Sequence, residues 1–161
     1  MTASAHCNEC LRIEENSTYT AEIHHIIAKR QLLWYKAFQL VPAIATAIIG
    51  TLTVGAVVPK WFGIVGLITA IITAIGTVLN PQKDYFEHVG AAKAFTTMKH
   101  DARSLREFGE RVPVHDLAVK VKCLHDRYND LVRVAPVTKD WAFKKARVRI
   151  QDGVHAPDEK K

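Results

Sequence analysis

The chain has 161 residues, 48% of them apolar, and a formal net charge of +6 at pH 7. That length holds one modest domain, yet much of the apolar content is gathered into a single uncharged stretch, which leaves short amphipathic helices to build any water-soluble core. The positive balance comes mainly from the segment after that stretch, where Lys and Arg exceed Asp and Glu by about five. It suits anionic lipid and, because no basic segment carries interleaved aromatics or a binding motif, argues against a nucleic-acid partner.

Residues 1–36 are polar and read as an N-terminal cytosolic segment and helix. The first fifteen are expected to be loose, with a helix starting near Asn16-Ser17-Thr18, all acceptable caps, and carrying Ile23, Ile26, Ile27, Leu33 and Trp34 at near-helical spacing. No apolar run stands where a cleavable signal would place one, so the first span is expected to be its own targeting signal.

From Ala37 to Asn80 the chain reads as two uncharged halves of about 20 residues, each roughly 30 Å long as a helix and so as long as a bilayer's hydrocarbon core is thick. Between Lys36 and Lys83 the only charge is Lys60, beside Pro59, a residue that suits a reversal better than a helix interior. Residues 37–82 are thus predicted to form a transmembrane helical hairpin. The competing reading is a buried hairpin in a soluble bundle, since Ala and Thr dilute both halves. Aromatics favour the membrane: Trp34, Tyr35 and Phe38 precede the first span, Trp61 and Phe62 sit at the tip, and Tyr85 and Phe86 follow the second. Pro42 predicts a kink in the first span. Lys29, Arg30, Lys36, Lys83, Lys93 and Lys99 flank the spans on one side and Lys60 stands alone on the other, so both termini are expected in the cytoplasm of a multi-pass inner-membrane protein.

Asn80-Pro81 stops the second span and Asp84 can restart a helix. In it Ala91, Phe95, Met98, Ala102 and Leu105 repeat at four and three, a seam suited to a partner helix. Gly109 and Pro113 end it, Asp116 can cap the next, and Leu117, Val121, Leu124, Tyr128 and Leu131 continue the same rhythm. After Pro136 and Thr138, Trp141 leads a short basic helix through Arg149. Residues 83–150 are therefore read as a cytosolic helical region and 151–161 as a flexible tail. The fold class predicted is an all-α membrane protein.

Each span carries a mildly polar stripe. On the first, Gln39, Thr46 and Thr53 recur every seven residues with Gly50 between; on the second, Thr69, Thr73, Gly76 and Asn80 line up similarly. Gln39, Thr46, Gly50, Thr53, Thr69 and Thr73 are the pore-lining candidates. Ala43, Ala47, Thr51 and Gly55 form a second stripe, small at every fourth position, that admits another helix closely and with the Ala91 to Leu105 seam predicts a homo-oligomer. The plainer alternative is that the Thr hydroxyls bond their own preceding turn and the small residues only pack helices. No charge lies within either span, which argues against a proton-coupled or ion-pair transporter.

Cys7 and Cys10 have the spacing of half a zinc site, and Cys123 with His125 offers two further ligands; reduced free thiols in a reducing compartment are the alternative. His24, His25 and His115 read as surface or packing residues. No phosphate loop, nucleophile elbow or paired carboxylates emerge, so an enzyme is not expected, nor any cofactor beyond that zinc.

The helix ending in WYKAF, the two closely spaced spans and the segment VLNPQKDYFEHVGAAKAFTTMKHDARSLRE resemble, over about residues 18–133, the SLATT family of bacterial two-transmembrane effector domains associated with SMODS nucleotide synthases and SLOG nucleotide sensors. Asn80-Pro81, His88, Ala92, Phe95 and Leu105 carry the likeness, although the family often has Tyr where Phe95 stands. Neither partner domain is fused here. The resemblance implies an effector of anti-phage abortive infection that oligomerises and breaches the membrane on a nucleotide signal, with a synthase or nucleotide-sensing protein as partner. A non-conducting anchor or adaptor is the alternative from another class, and a holin-like lysis protein a third.

The charge asymmetry generates a topology test. Alkaline phosphatase fused after Lys60 is expected to be active and the same reporter at the C-terminus silent; the reverse pattern would overturn the orientation.

Overall fold

The computed structural model describes residues 3–53 and 61–153. They form helices α1 (Ala3–Thr53), α2 (Trp61–Leu79), α3 (Pro81–Phe108), α4 (Val114–Val134) and α5 (Asp140–Gln151), with a 3-10 turn at Gly109–Arg111 and no strand among the described residues. Contacts divide the chain into two units, one made by residues up to Ala28 together with those from Phe86 onward, the other by Lys29–Tyr85. Gly55, the Pro59-Lys60 reversal and most of the predicted tail lie outside the described residues.

In the first unit α1 begins at Ala3, not near Asn16, which corrects the expectation of a loose start. No Gly or Pro interrupts residues 3–41, and Cys10, Ile13, Ser17, Ala21, His24 and Ala28, spaced three and four apart, are all buried. Half of that face is polar or sulfur-bearing, so apolar periodicity alone does not reveal it. Cys10 and Ile13 pack with Met98 and Ala102 of α3 and Leu117, Val121 and Leu124 of α4. A second cluster joins Ile23, Ile26 and Ile27 of α1 to Ala142 and Ala146 of α5, with Trp141 against it. The Ala91 to Leu105 seam therefore meets helices of the same chain: Phe95, Met98 and Ala102 are buried and Leu105 borders the first cluster. Within one copy, the buried side chains of this seam are covered by α1 and α4.

Phe95 is only 1% exposed, stacked on the His24 ring at 5.9 Å and edge-on to Tyr128 at 6.2 Å. Polar pairs add register between helices. Arg106 donates to Glu14 at 3.0 Å and Arg127 to Asp101 at 3.0 Å, while Arg149 of α5 lies 2.7 Å from the buried Glu22 carboxylate of α1, close enough for an ion pair although not aligned as a hydrogen bond. At the start of α4 the capping position belongs to Pro113, and Asp116 sits inside the first turn, where its negative charge favours the helix N-terminus without capping it.

The second unit contains the later part of α1, all of α2 and the first turn of α3. Asn80 divides α2 from α3: it takes φ 42, its amide donates to the Gly76 carbonyl at 3.1 Å, and its side-chain Oδ1 accepts from the Lys83 amide at 3.3 Å. Asn tolerates that left-handed backbone better than most residues, and Pro81 fits the first helical position because no donor is needed there. Helix α1 continues through Pro42. None of the α2 residues is buried, and Ile64, Leu67, Ile68, Ile71, Ile75, Val78 and Leu79 are each about half exposed or more. A core helix of a soluble bundle hides such side chains; an apolar helix left bare suits lipid. Two helices are long and apolar enough to cross a membrane.

Phe95→Ala should cost about 3–5 kcal/mol, since it opens a cavity where α1, α3 and α4 meet, whereas Val119→Ala on the exposed face of α4 should stay within about 0.5 kcal/mol. Chemical denaturation of both variants in detergent measures the difference.

Candidate functional site

The polar stripes of α1 and α2 come together. A Cβ on Gly76 would lie 2.9 Å from the Phe38 Cβ and 3.0 Å from its Cγ, so only a residue without a side chain lets the two helices approach as they do. Beside this contact a cleft of about 550 Å³ is lined by Tyr35, Phe38, Gln39, Pro42, Thr73, Gly76, Thr77, Asn80, Pro81 and Gln82. Farther along the same pair of helices, a crevice of about 560 Å³ is lined by Thr46, Ile49, Gly66, Thr69, Ala70, Thr73, Ala74 and Thr77. Gln39 and Thr46 thus share one groove with Thr69 and Thr73.

The chemistry of that groove is mild. Thr69 donates to the Val65 carbonyl at 2.8 Å, Thr73 to Thr69 at 2.9 Å and Thr77 to Thr73 at 2.9 Å. Each hydroxyl hydrogen is engaged by its own helix, as the plainer reading of these residues expects, and what the Thr oxygens keep is capacity to accept. Pro42 has no amide hydrogen for the Phe38 carbonyl to take, which adds one more acceptor. The groove is an uncharged, acceptor-rich lining, with the Gln39 and Asn80 amides supplying donors at one end. Thr77, Tyr35 and Gln82 belong to it although the stripes did not single them out; Thr77 was signalled by standing four residues after Thr73.

The remaining stripe residues lie elsewhere. Ala43, Ala47 and Thr51 are exposed and line neither cavity, and Thr51 donates to the Ile48 carbonyl at 2.9 Å. Nothing lies within 4 Å of a Cβ built on Gly50. Thr53 ends α1, and its side chain is outside the described residues.

The cysteines do not gather. Cys10 is buried in the first core, Cys7 is half-buried, Cys123 is exposed and all three thiols are free. His125 Nδ1 lies 3.4 Å from Glu9 Oε1. Among the described residues no three His, Cys, Asp or Glu side chains are placed to hold a metal. Burial first, then the neighbouring Cys7 and Glu9, push the Cys10 thiol up to about 11.

Two histidines that the spacing did not connect meet in the first unit. His24 of α1 is fully buried and its Nδ1 lies 2.8 Å from the Nδ1 of His88 on α3, with ring centroids 5.1 Å apart. The other ring nitrogen of His24, Nε2, is buried without a hydrogen-bond partner. Desolvation, then His88 and His25, lower His24 to about 4. By sequence His24 reads as a surface or packing residue, and the signal for its burial is its place in the 10, 13, 17, 21, 24, 28 repeat.

Comparison with known protein families, with curated proteins and with solved structures yields no match for this chain.

Gly76→Val should force α1 and α2 apart at Phe38, because the new side chain meets the root of the Phe ring, which cannot swing away as a flexible tip would. The expected result is a lower melting temperature in detergent, partly restored when Phe38→Ala is added; additive losses would remove this contact from the account.

Proposed function

We propose that the chain is a bacterial inner-membrane effector of a nucleotide-signalled anti-phage system, in which α1 and α2 form a transmembrane hairpin and several hairpins assemble to breach the membrane. The observation that carries the membrane part is α2, an uncharged helix that buries none of its residues. The defence role, with a nucleotide synthase or nucleotide-sensing protein as activating partner, rests on the resemblance of the WYKAF helix, the Asn80-Pro81 exit and the His88 to Leu105 helix to SLATT domains. The exposed Ala43, Ala47 and Thr51 face supplies a surface on which a second hairpin can approach closely.

In this reading the groove between α1 and α2 is the seed of the conducting path. Thr oxygens accept hydrogen bonds from water, and a wall bearing them resists the dewetting that closes an all-apolar constriction. One observation favours the non-conducting anchor instead: the Thr69, Thr73 and Thr77 hydroxyl hydrogens are already engaged by backbone carbonyls, as in any packed helix pair.

The two readings separate in cells. Thr46→Leu with Thr69→Leu, both in the groove, should abolish toxicity and depolarisation reported by a voltage-sensitive dye while leaving expression and oligomer size unchanged. Ile48→Leu with Ile68→Leu, on exposed positions, controls for the introduction of Leu without a change of polarity or volume. Depolarisation undiminished in the Thr variant would refute the lining; a parent that, once activated, never depolarises cells would leave the anchor as the better reading.

A further inference from the structure

Buried histidine pairs restrict the protons they can hold. At 2.8 Å the facing Nδ1 atoms of His24 and His88 accommodate one hydrogen between them, so one ring donates and the other accepts. In the neutral pair each ring carries a single proton. A third proton on the two rings makes an imidazolium with His24 fully buried and its Nε2 without a partner. A fourth turns both Nδ1 atoms into donors pointed at each other, and the bond cannot persist.

We propose that the His24–His88 pair is an acid-sensitive latch, which fastens α1 to α3 in the first unit while neutral and releases them when it takes up further protons. The pair is placed to act on both helices, since its bond bridges residues 64 apart in the sequence and His24 stacks on Phe95 in the core of the unit. Among the described residues, charged and titratable groups near it come from several helices, with Glu87 next to His88 on α3. On α1 they are His25 and, two residues away, Glu22, which pairs with Arg149 of α5; on α3 there is His88 itself; from α4, Tyr128 reaches the far side of Phe95.

The direction of the response follows from linkage. His24 sits at about 4 when the unit is closed and returns to its ordinary 6.5 when opened, so the opened form binds more protons between those values. The closed form is therefore favoured in full above pH 6.5 and loses that advantage as the pH falls toward 4. Between pH 7.5 and pH 5 the opening equilibrium should shift by roughly thirty-fold. The latch is independent of whether the chain conducts.

The test uses the full chain in detergent micelles. Amide hydrogen exchange, corrected for its intrinsic pH dependence, should show protection in residues 20–28 and 86–98 falling by roughly thirty-fold from pH 7.5 to pH 5. The double variant His24→Phe with His88→Leu, which removes donor and acceptor together, should keep its protection across that range. An equal loss in the variant, or none in the parent, overturns the latch. Should the variant fail to fold, ring-carbon NMR titration of the histidine-labelled parent decides: a resonance with its midpoint below pH 5 supports it, and all eight histidines titrating near 6.5 refute it.

Discussion

Between Lys36 and Lys83 the chain offers one charged side chain, Lys60, and in an apolar surrounding every amide and carbonyl of that stretch must find its partner within the backbone. This constraint sets the rest of the second unit. It makes α1 and α2 helical irrespective of the modest propensity of their Thr, Ile and Val residues, it turns spare Thr hydroxyls back onto the preceding turn, and it tolerates Pro42 only as a local loss of one hydrogen bond. The close contact between α1 and α2 comes from shape, with Gly76 set against Phe38.

The first unit obeys a different constraint. Its core mixes apolar side chains with buried polar ones, Ser17, Glu22, His24 and His88, and each polar group placed there costs stability unless it meets a partner. The Glu22–Arg149 contact illustrates the balance. A buried ion pair contributes little net stability, but losing one member leaves a charge stranded at a cost of about 3–5 kcal/mol, so the pair fixes where α5 docks on α1 more than how tightly. The two histidines extend the same logic, with a hydrogen bond that depends on one of them staying neutral.

Groove and latch differ in the kind of chemistry they offer. The groove between α1 and α2 presents neutral acceptors, with Tyr35 as its titratable side chain. The titratable groups that the fold buries lie in the other unit, where Cys10 is pushed toward its neutral thiol and His24 toward its neutral ring. Burial acts in one direction on both, against charge.

Features recorded in neighbouring residues were legible without coordinates. The lengths of the two apolar stretches, the Asn80-Pro81 break, the end of α3 near Gly109 and the helix led by Trp141 follow from backbone chemistry and from periodicity over a few turns. The seam of Phe95, Met98 and Ala102 was legible as a buried face, but not which helix would cover it. Tertiary structure alone decided that α1 starts at Ala3, that Cys10 belongs to a core, that the Thr46 and Thr69 stripes face each other, and that His24 finds His88. Helical periodicity says which side chains share a face; which faces meet depends on contacts between residues tens of positions apart, and those contacts leave no mark in any local window.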